Sequence, residues 1–378
     1  MNTLGFPVYQ GSVCDVYSGE YLVLDRTNRI TVDGVRYPGE ILYKGLVNNQ
    51  IANHWMKQTA HIVPNQLLAT DARTLLALGA KPDQLGRVSA VKCCYPIPFN
   101  FVVRGYYVQG DPAWQSYEDT AEICGISLVE NLLDGEALEE PIFTPNVQLD
   151  LDDHPTNLTF EELKHYMQEF VFELLTEMLE LDEEDAEEMC CVNSDCKCTC
   201  QSGECASHHH ECHCGGHCHH GNNEPEEITF EEYCDEFAHK LCEDIRRISL
   251  ELYEYVHCSA VECGIIIADA NLEFGLDSDM NLVLMGAPFT PDTSRYWNSC
   301  SHDIGCPQCE IDKHYLRSYL KHVADTQQTE IPEYVLTNVS QIYCDIYHQL
   351  TGESVQKLTE DLSYEWHDAQ QQLGITGE

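Results

Sequence analysis

Asp269 and Glu273 sit at the end of an apolar run, Ile265 to Ala268, with Phe274 and Gly275 closing the segment. A second apolar run, 282–285, leads into a proline-containing loop that carries Thr290, Pro291, Asp292, Ser294, Arg295 and Trp297. Two strand ends that place carboxylates beside a Ser/Arg pair suit a site for a metal–nucleotide and a phosphate. The carboxylates supply hard oxygen ligands, and the guanidinium grips an anion through two N–H bonds at once. Arg104, at the end of another strand-like run, joins Ser294 and Arg295 as a candidate for a clamp on phosphate or carboxylate. The plain alternative for these three is surface ion pairing.

Thiols and imidazoles form a second group. Between Cys190 and His220 lie nine Cys and seven His, among them Cys196, Cys198, Cys200, Cys212, Cys214 and Cys218. Cys-x-Cys spacing lets neighbouring thiolates share one soft cation, and sixteen ligands saturate about four tetrahedral Zn²⁺ sites at most. A low-complexity loop without a defined site is the other reading. Cys300, His302, Cys306 and Cys309 fit one structural zinc, with a redox dithiol or unliganded thiols as alternatives.

The elements that must position these residues are legible in outline. Runs at 13–17 and 21–24 around a Ser-Gly-Glu turn predict an antiparallel hairpin. Val47, Ile51 and Trp55 predict a helix from about 45 to 59. Strands are expected at 88–94 and 100–103. Thr159 and Thr229 each precede a Glu by three residues, the capping box of a helix start, and apolar stripes follow: Leu163, Met167, Phe170, Leu174 and Met178, then Phe237, Leu241, Ile245 and Leu252. A further helix is expected around 334–350.

Composition sets outer bounds. At 378 residues the chain buries a substantial core. Its 64 acidic against 20 basic residues give −44, so nucleic acid and anionic membrane are poor partners. No apolar run approaches the ~20 residues of a membrane span, and the expected location is the cytoplasm, where the 21 cysteines are thiols or metal ligands.

The segments around Asp269 and Arg295 resemble the SAICAR synthetase family, whose signatures read D-x-K-x-E-F-G and D-E-x-x-T-P-D-x-S-R-x-W. This chain keeps Asp269, Glu273, Phe274, Gly275, Thr290, Pro291, Asp292, Ser294, Arg295 and Trp297, with Asn271 for the Lys and Gly286 and Ala287 for Asp-Glu. Residues 11–17 resemble the family's G-K-V-R-D-V-Y, with Ser12 and Cys14 at the cationic positions, and residues 102–106 resemble V-V-R-G-Y. The resemblance covers most of the chain outside an insertion at about 160–225.

It implies an α+β fold: an N-terminal antiparallel-sheet, nucleotide-binding lobe (1–105) and a larger α/β substrate lobe (106–378), with a nucleotide cleft between. It implies an ATP-dependent ligase of purine synthesis, using Mg²⁺, that joins L-aspartate to carboxyaminoimidazole ribonucleotide and releases ADP and phosphate. The implied roles are Glu273 and Asp269 in catalysis, Arg104, Asp292, Ser294 and Arg295 on the ribonucleotide, and Gly11, Ser12, Val13 and Lys92 on the nucleotide. Lys44 and Lys92 are the nearest other cations by sequence. An open alternative is a catalytically impaired paralogue that still binds a nucleotide or phosphoribosyl ligand and carries the metal-binding insertion. Restoring Asn271→Lys with Gly286→Asp is then expected to raise the rate. Self-association into a homo-oligomer stays open.

Overall fold

The computed structural model describes residues 4–19, 21–32, 34–148, 155–179, 190–191, 228–323 and 330–374. Its contacts divide into two units, 1–163 with 243–378, and 164–242.

The first unit begins with strands β1 (Tyr9–Gln10), β2 (Cys14–Tyr17) and β3 (Leu22–Arg26), then a hairpin of β4 (Arg29–Val32) and β5 (Val35–Glu40). Helix α1 (Lys44–Gln58), strand β6 (Leu67–Ala69), helix α2 (Ala72–Ala77) and strand β7 (Val88–Val91) follow. Strands β1, β2, β3, β7 and β6 make an antiparallel five-stranded sheet in that order. The hairpin expected around Ser18-Gly19 is the β2–β3 pair. Helix α1 buries Val47, Ile51 and Trp55, the three residues whose spacing predicts it.

The second sheet is built from β8 (Tyr95–Pro96), β9 (Asn100–Tyr106), β12 (Ala137–Val147), β13 (Thr156–Asn157), β16 (Ile265–Leu276), β17 (Leu282–Met285) and β18 (Ser294–Asn298). Between β9 and β12 lie the short helix α3 (Gln115–Thr120) and the pair β10 (Glu122–Ile123) and β11 (Ile126–Ser127). A further short pair, β14 (Cys190–Cys191) and β15 (Ile228–Thr229), lies in the second unit. The order β13-β12-β9-β16-β17 places β16 at the centre, and β8 and β18 also pair with it.

Helices α4 (Phe160–Met178) and α5 (Phe230–Glu262) start at the two predicted capping boxes. The Glu162 carboxylate accepts from the Thr159 N–H at 2.7 Å, and Glu232 accepts from Thr229 N–H at 2.8 Å. Leu163, Met167 and Leu174 are buried as expected, but Val171 completes that stripe, because Phe170 is half-buried and Met178 exposed. The chain closes with α6 (Lys313–Val323), α7 (Glu333–Thr351) and α8 (Val355–Gln372). Helix α8 was not anticipated; its Trp366 and Ala369 pack with Val23, Leu75, Val88 and Ala90 in one cluster, so the last helix completes the core of the first sheet. Antiparallel sheets flanked by helices make the fold α+β, as expected. No described helix is long and apolar enough to cross a membrane.

One contact fixes how β16 presents its side chains. The pairing of β16 with β18 runs Ile267 to Tyr296 and then Asp269 to Arg295, so Ala268 is an extra residue, a β-bulge. The hydroxyl of buried Tyr253, on α5, donates to the Ile267 carbonyl at 2.6 Å and anchors the bulge. It reaches that carbonyl across Gly105, where any Cβ would overlap the hydroxyl. Gly105→Ala is therefore expected to lower stability by about 1–3 kcal/mol through overpacking. Denaturant titration reads this, and a midpoint equal to the parent's would contradict it.

Candidate active site

Alternation along an extended strand builds the site. From Ala268 onward, Ala270, Leu272, Phe274 and Leu276 are buried, while Asp269, Asn271 and Glu273 face the other way. On that face Asp269 lies opposite Arg104 of β9 and Arg295 of β18. The Asp269 carboxylate is 3.7 Å from each guanidinium, so three of the predicted residues converge.

Arg104, Ser294 and Arg295 are buried, at 5%, 3% and 4% exposure. Arg104 Nε donates to Thr144 Oγ1 at 2.9 Å, and its guanidinium lies over Trp114 at 5.9 Å. Arg295 Nη2 is paired with Asp111 and lies 3.1 Å from His314 Nε2. His314 Nδ1 lies 2.8 Å from the Asp312 carboxylate, which assigns the proton to Nδ1 and leaves Nε2 to accept from Arg295. Burial disfavours the Arg295 charge, but Asp269 and then Asp111 outweigh it and hold the guanidinium protonated far above the usual range. Burial likewise opposes ionisation of Asp111, and Arg295 and Arg104 overcome it. Arg295 Nε and Nη1 and the Ser294 hydroxyl have no hydrogen-bond partner in the protein. Ser294 pairs with the core-facing Ala270, so only the Arg295 donors share the face of Asp269, and all three atoms are enclosed by protein.

Glu273 stands at the opposite end of the same row. It is exposed, yet protein surrounds it on most sides, so it occupies a recess. Burial raises its carboxyl against the opposing Arg26 charge. Arg26 Nη2 donates to the Gly286 carbonyl at 2.6 Å. Gly286 has φ +68°, and a Cβ there would press on the Glu273 carboxylate, so Gly286→Asp would strain the backbone and require the Glu273 side chain to shift. Asp269 and Glu273 lie four residues apart on one strand, about 13 Å at ~3.3 Å per residue, so they cannot share one ion. Between them Asn271 Nδ2 donates to Asn100 Oδ1 at 3.3 Å, Asn100 Nδ2 donates to Asn146 Oδ1 at 3.0 Å, and Asn271 Oδ1 is unpartnered.

The β1–β2 turn sits on the far side of Arg26, which pairs with Cys14 across β2 and β3. The carbonyls of Gly11, Ser12 and Val13 accept from Arg29, Thr31 and Thr27, which holds the turn rigid. Lys92 is half-buried beyond β7, and its charge acts on Asp277.

Asp292 departs from expectation. Its oxygens are taken by Lys44 and by the Tyr343 hydroxyl at 2.5 Å, and it does not join the Arg104–Asp269–Arg295 group. It is a buried clamp on the loop that precedes Ser294. Lys44, offered by sequence as a spare cation, is committed to that clamp. The zinc expectation also fails on the described residues, where no three His, Cys, Asp or Glu side chains converge to hold a metal. His302 Nε2 is engaged by the Gly135 carbonyl at 2.8 Å and its ring stacks on Trp297, while the Cys306 thiol donates to Asp303 and Cys300, Cys306 and Cys309 are all exposed. Cys196, Cys198, Cys200, Cys212, Cys214 and Cys218 lie outside the described residues.

Sequence reading missed Asp111, Thr144, His314, Asp312, Asn100 and Asn146. Asp111 carries the local signature of a turn cap, an Asp before Pro112, but nothing in that signature points to Arg295.

The sequence model of the SAICAR synthetase family matches residues 7–184 and 219–334. Phosphoribosylaminoimidazole-succinocarboxamide synthases of Methylobacillus flagellatus and Dechloromonas aromatica are 28% and 29% identical, over 92% of this chain and 94% and 95% of theirs. A solved SAICAR synthase superposes with TM-score 0.64 at 23% identity, over 92% of this chain and 95% of that one. The Saccharomyces cerevisiae SAICAR synthase complexed with SAICAR superposes with the same TM-score at 22% identity, with the same coverage.

The buried clamp has a measurable pH signature. Burial opposes ionisation of Asp292, but Lys44 and then Lys313 depress its pKa from 3.8 to about 2. A depressed carboxyl contributes stability above pH 4 that is lost as pH falls through about 2. Lys44→Met leaves that charge buried without its main partner and is expected to cost ~3–5 kcal/mol at pH 7. The variant also loses about 2 kcal/mol of the parent's stability change between pH 4 and 2. Chemical denaturation at several pH values measures both, and parallel curves for the two proteins would contradict the assignment.

Proposed function

The chain belongs to the SAICAR synthetase family, and from that premise we propose that it is the ATP-dependent carbon–nitrogen ligase that joins L-aspartate to carboxyaminoimidazole ribonucleotide, forming SAICAR, ADP and phosphate. The observation that carries this reading is the strand β16 face, with a two-arginine anion pocket at one end and a recessed carboxylate at the other. A ligase of this class must hold two differently charged substrates in line, and the ~13 Å of strand between Asp269 and Glu273 supplies that separation. The relatives that span nine-tenths of the chain are named for the ligase activity. No observation favours the alternative of an impaired paralogue.

In this reading residues 1–105 carry the nucleotide side and 106–378 most of the ribonucleotide side, with an insertion at 160–225. The Arg295 and Arg104 guanidinium groups bind the ribonucleotide's phosphate, which leaves its carboxylate free to meet the nucleotide. Asp269 orients both guanidinium groups from 3.7 Å and is a positioning residue. The turn of Gly11, Ser12 and Val13, with Lys92, takes the nucleotide, and Arg26 ties that turn to the Glu273 recess. Glu273 fits Mg²⁺ bound in the usual way for a phosphate-carried ion, through one carboxylate with the remaining positions filled by phosphate and water. When bound, Mg²⁺ would offset the charge that develops on the transferred phosphoryl group. Phosphorylation of the imidazole carboxylate makes one of its oxygens a leaving group, and attack by the aspartate amine expels it as phosphate.

Two kinetic outcomes separate the ends of the row. Glu273→Gln is expected to lower kcat by about 10²–10³, as loss of one transition-state electrostatic contact does, with little change in the ribonucleotide KM. Arg104→Lys keeps the charge but loses the fork, and is expected to lower kcat/KM for the ribonucleotide by roughly 10–100-fold. ADP release coupled to SAICAR formation provides the assay. ADP release that does not depend on both aspartate and the ribonucleotide, or no SAICAR at all, would overturn the reading.

A further inference from the structure

The arginine pocket already holds a carboxylate of its own. Asp111 lies in the turn after β9, where Oδ1 accepts the Ala113 N–H at 2.9 Å and Oδ2 pairs with Arg295 Nη2. Its side chain is 19% exposed, whereas Arg295 is buried beneath it. Around the two guanidinium groups stand three carboxylates: Asp111, Asp269 and, through His314, the fully buried Asp312. A pocket that by its arginines alone would carry two positive charges is thus more than balanced by three carboxylates, while Arg295 Nε and Nη1 have no hydrogen-bond partner in the protein.

These features pull apart two properties that usually go together. The donors suit an oxyanion, but the field around them does not favour a small dianion, which would gain a few hydrogen bonds while facing Asp111 and Asp269 at close range. A larger ligand with further contacts on the same sheet face can offset that repulsion; bare phosphate cannot. We propose that Asp111 is the specificity-determining residue of this pocket, a resident carboxylate on Arg295 that keeps inorganic phosphate out and admits a phosphate or carboxylate only when it is carried on a larger ligand. The identity of that ligand as a ribonucleotide rests on the ligase reading, and a ligase that releases phosphate at every turnover gains a pocket its own product does not occupy.

Inorganic phosphate is the probe, titrated calorimetrically into the full-length protein at fixed ionic strength. Binding is expected to be weak in the parent, in the millimolar range or beyond, and at least tenfold tighter in both Asp111→Asn and Asp111→Ser. Asn keeps the acceptor for Ala113 N–H and the volume, and Ser removes the reach to Arg295, so agreement between them isolates the charge. Adding Arg104→Met to Asp111→Asn should abolish the gain, which places the phosphate at the arginines. In the ligase assay phosphate should become a competitive inhibitor against the ribonucleotide in the Asp111 variants but not in the parent. Tight phosphate binding by the parent, or affinity that is unchanged or reduced in the variants, would overturn the proposal. The titration needs no turnover, so a failure to form SAICAR would count against the ligase reading while leaving the phosphate result to stand or fall alone.

Discussion

The bulge at Ala268, held by the Tyr253 hydroxyl on the Ile267 carbonyl, is the constraint on which the rest of the site depends. A strand alternates its side chains between two faces, so an extra residue exchanges the faces of everything beyond it. Here the exchange puts Ala270, Leu272 and Phe274 into the core and sends Asp269, Asn271 and Glu273 to the opposite face. It also sets Asp269 between Arg104 and Arg295, which are its partners on both neighbouring strands. The absence of a side chain at Gly105 is what lets the tyrosine reach across to the bulge. Packing between a helix and a sheet thus decides which carboxylates are available for chemistry.

Electrostatics explains why the site is buried as well as aligned. The chain carries a formal −44, and an exposed arginine on such a surface would be screened by water and surrounded by competing carboxylates. Burying Arg104 and Arg295 against one flat face limits which acids can reach them, and Asp111, Asp269 and Asp312 are the ones that do. The same logic holds the following loop: Asp292 is neutralised by Lys44 and bonded by Tyr343, which fixes Thr290 to Ser294 and, with them, the start of β18.

Much of this was legible in the sequence where local pattern and local structure coincide. The β2–β3 hairpin, α1 and both capping boxes follow from spacing alone, and the convergence of Arg104, Asp269 and Arg295 follows from motifs that lie on strands. Residues whose role is made by long-range contact were not legible. Asp111 reads as a turn cap because its cap is local, whereas its ion pair with Arg295 spans 184 positions. Asp292 lies within the same motif as Ser294 but turns to Lys44, 248 positions away. The cysteines at 300, 306 and 309 have the spacing of a zinc site, yet His302 is drawn off by Trp297 and the Gly135 carbonyl, which no spacing rule reveals. Helix α8 was missed because its role is to cover a sheet formed more than 250 residues earlier.

The central claim is that one face of β16 holds two substrates at opposite ends, the ribonucleotide on Arg104 and Arg295 and the nucleotide at Glu273. A crystal structure of the protein with ADP, Mg²⁺ and carboxyaminoimidazole ribonucleotide tests it most directly. The account predicts ADP phosphates beside Glu273 and the Gly11–Val13 turn, and the phosphate of the ribonucleotide on the Arg104 and Arg295 guanidinium groups. Nucleotide seated on the arginine pair, or ribonucleotide bound away from β16, would contradict it.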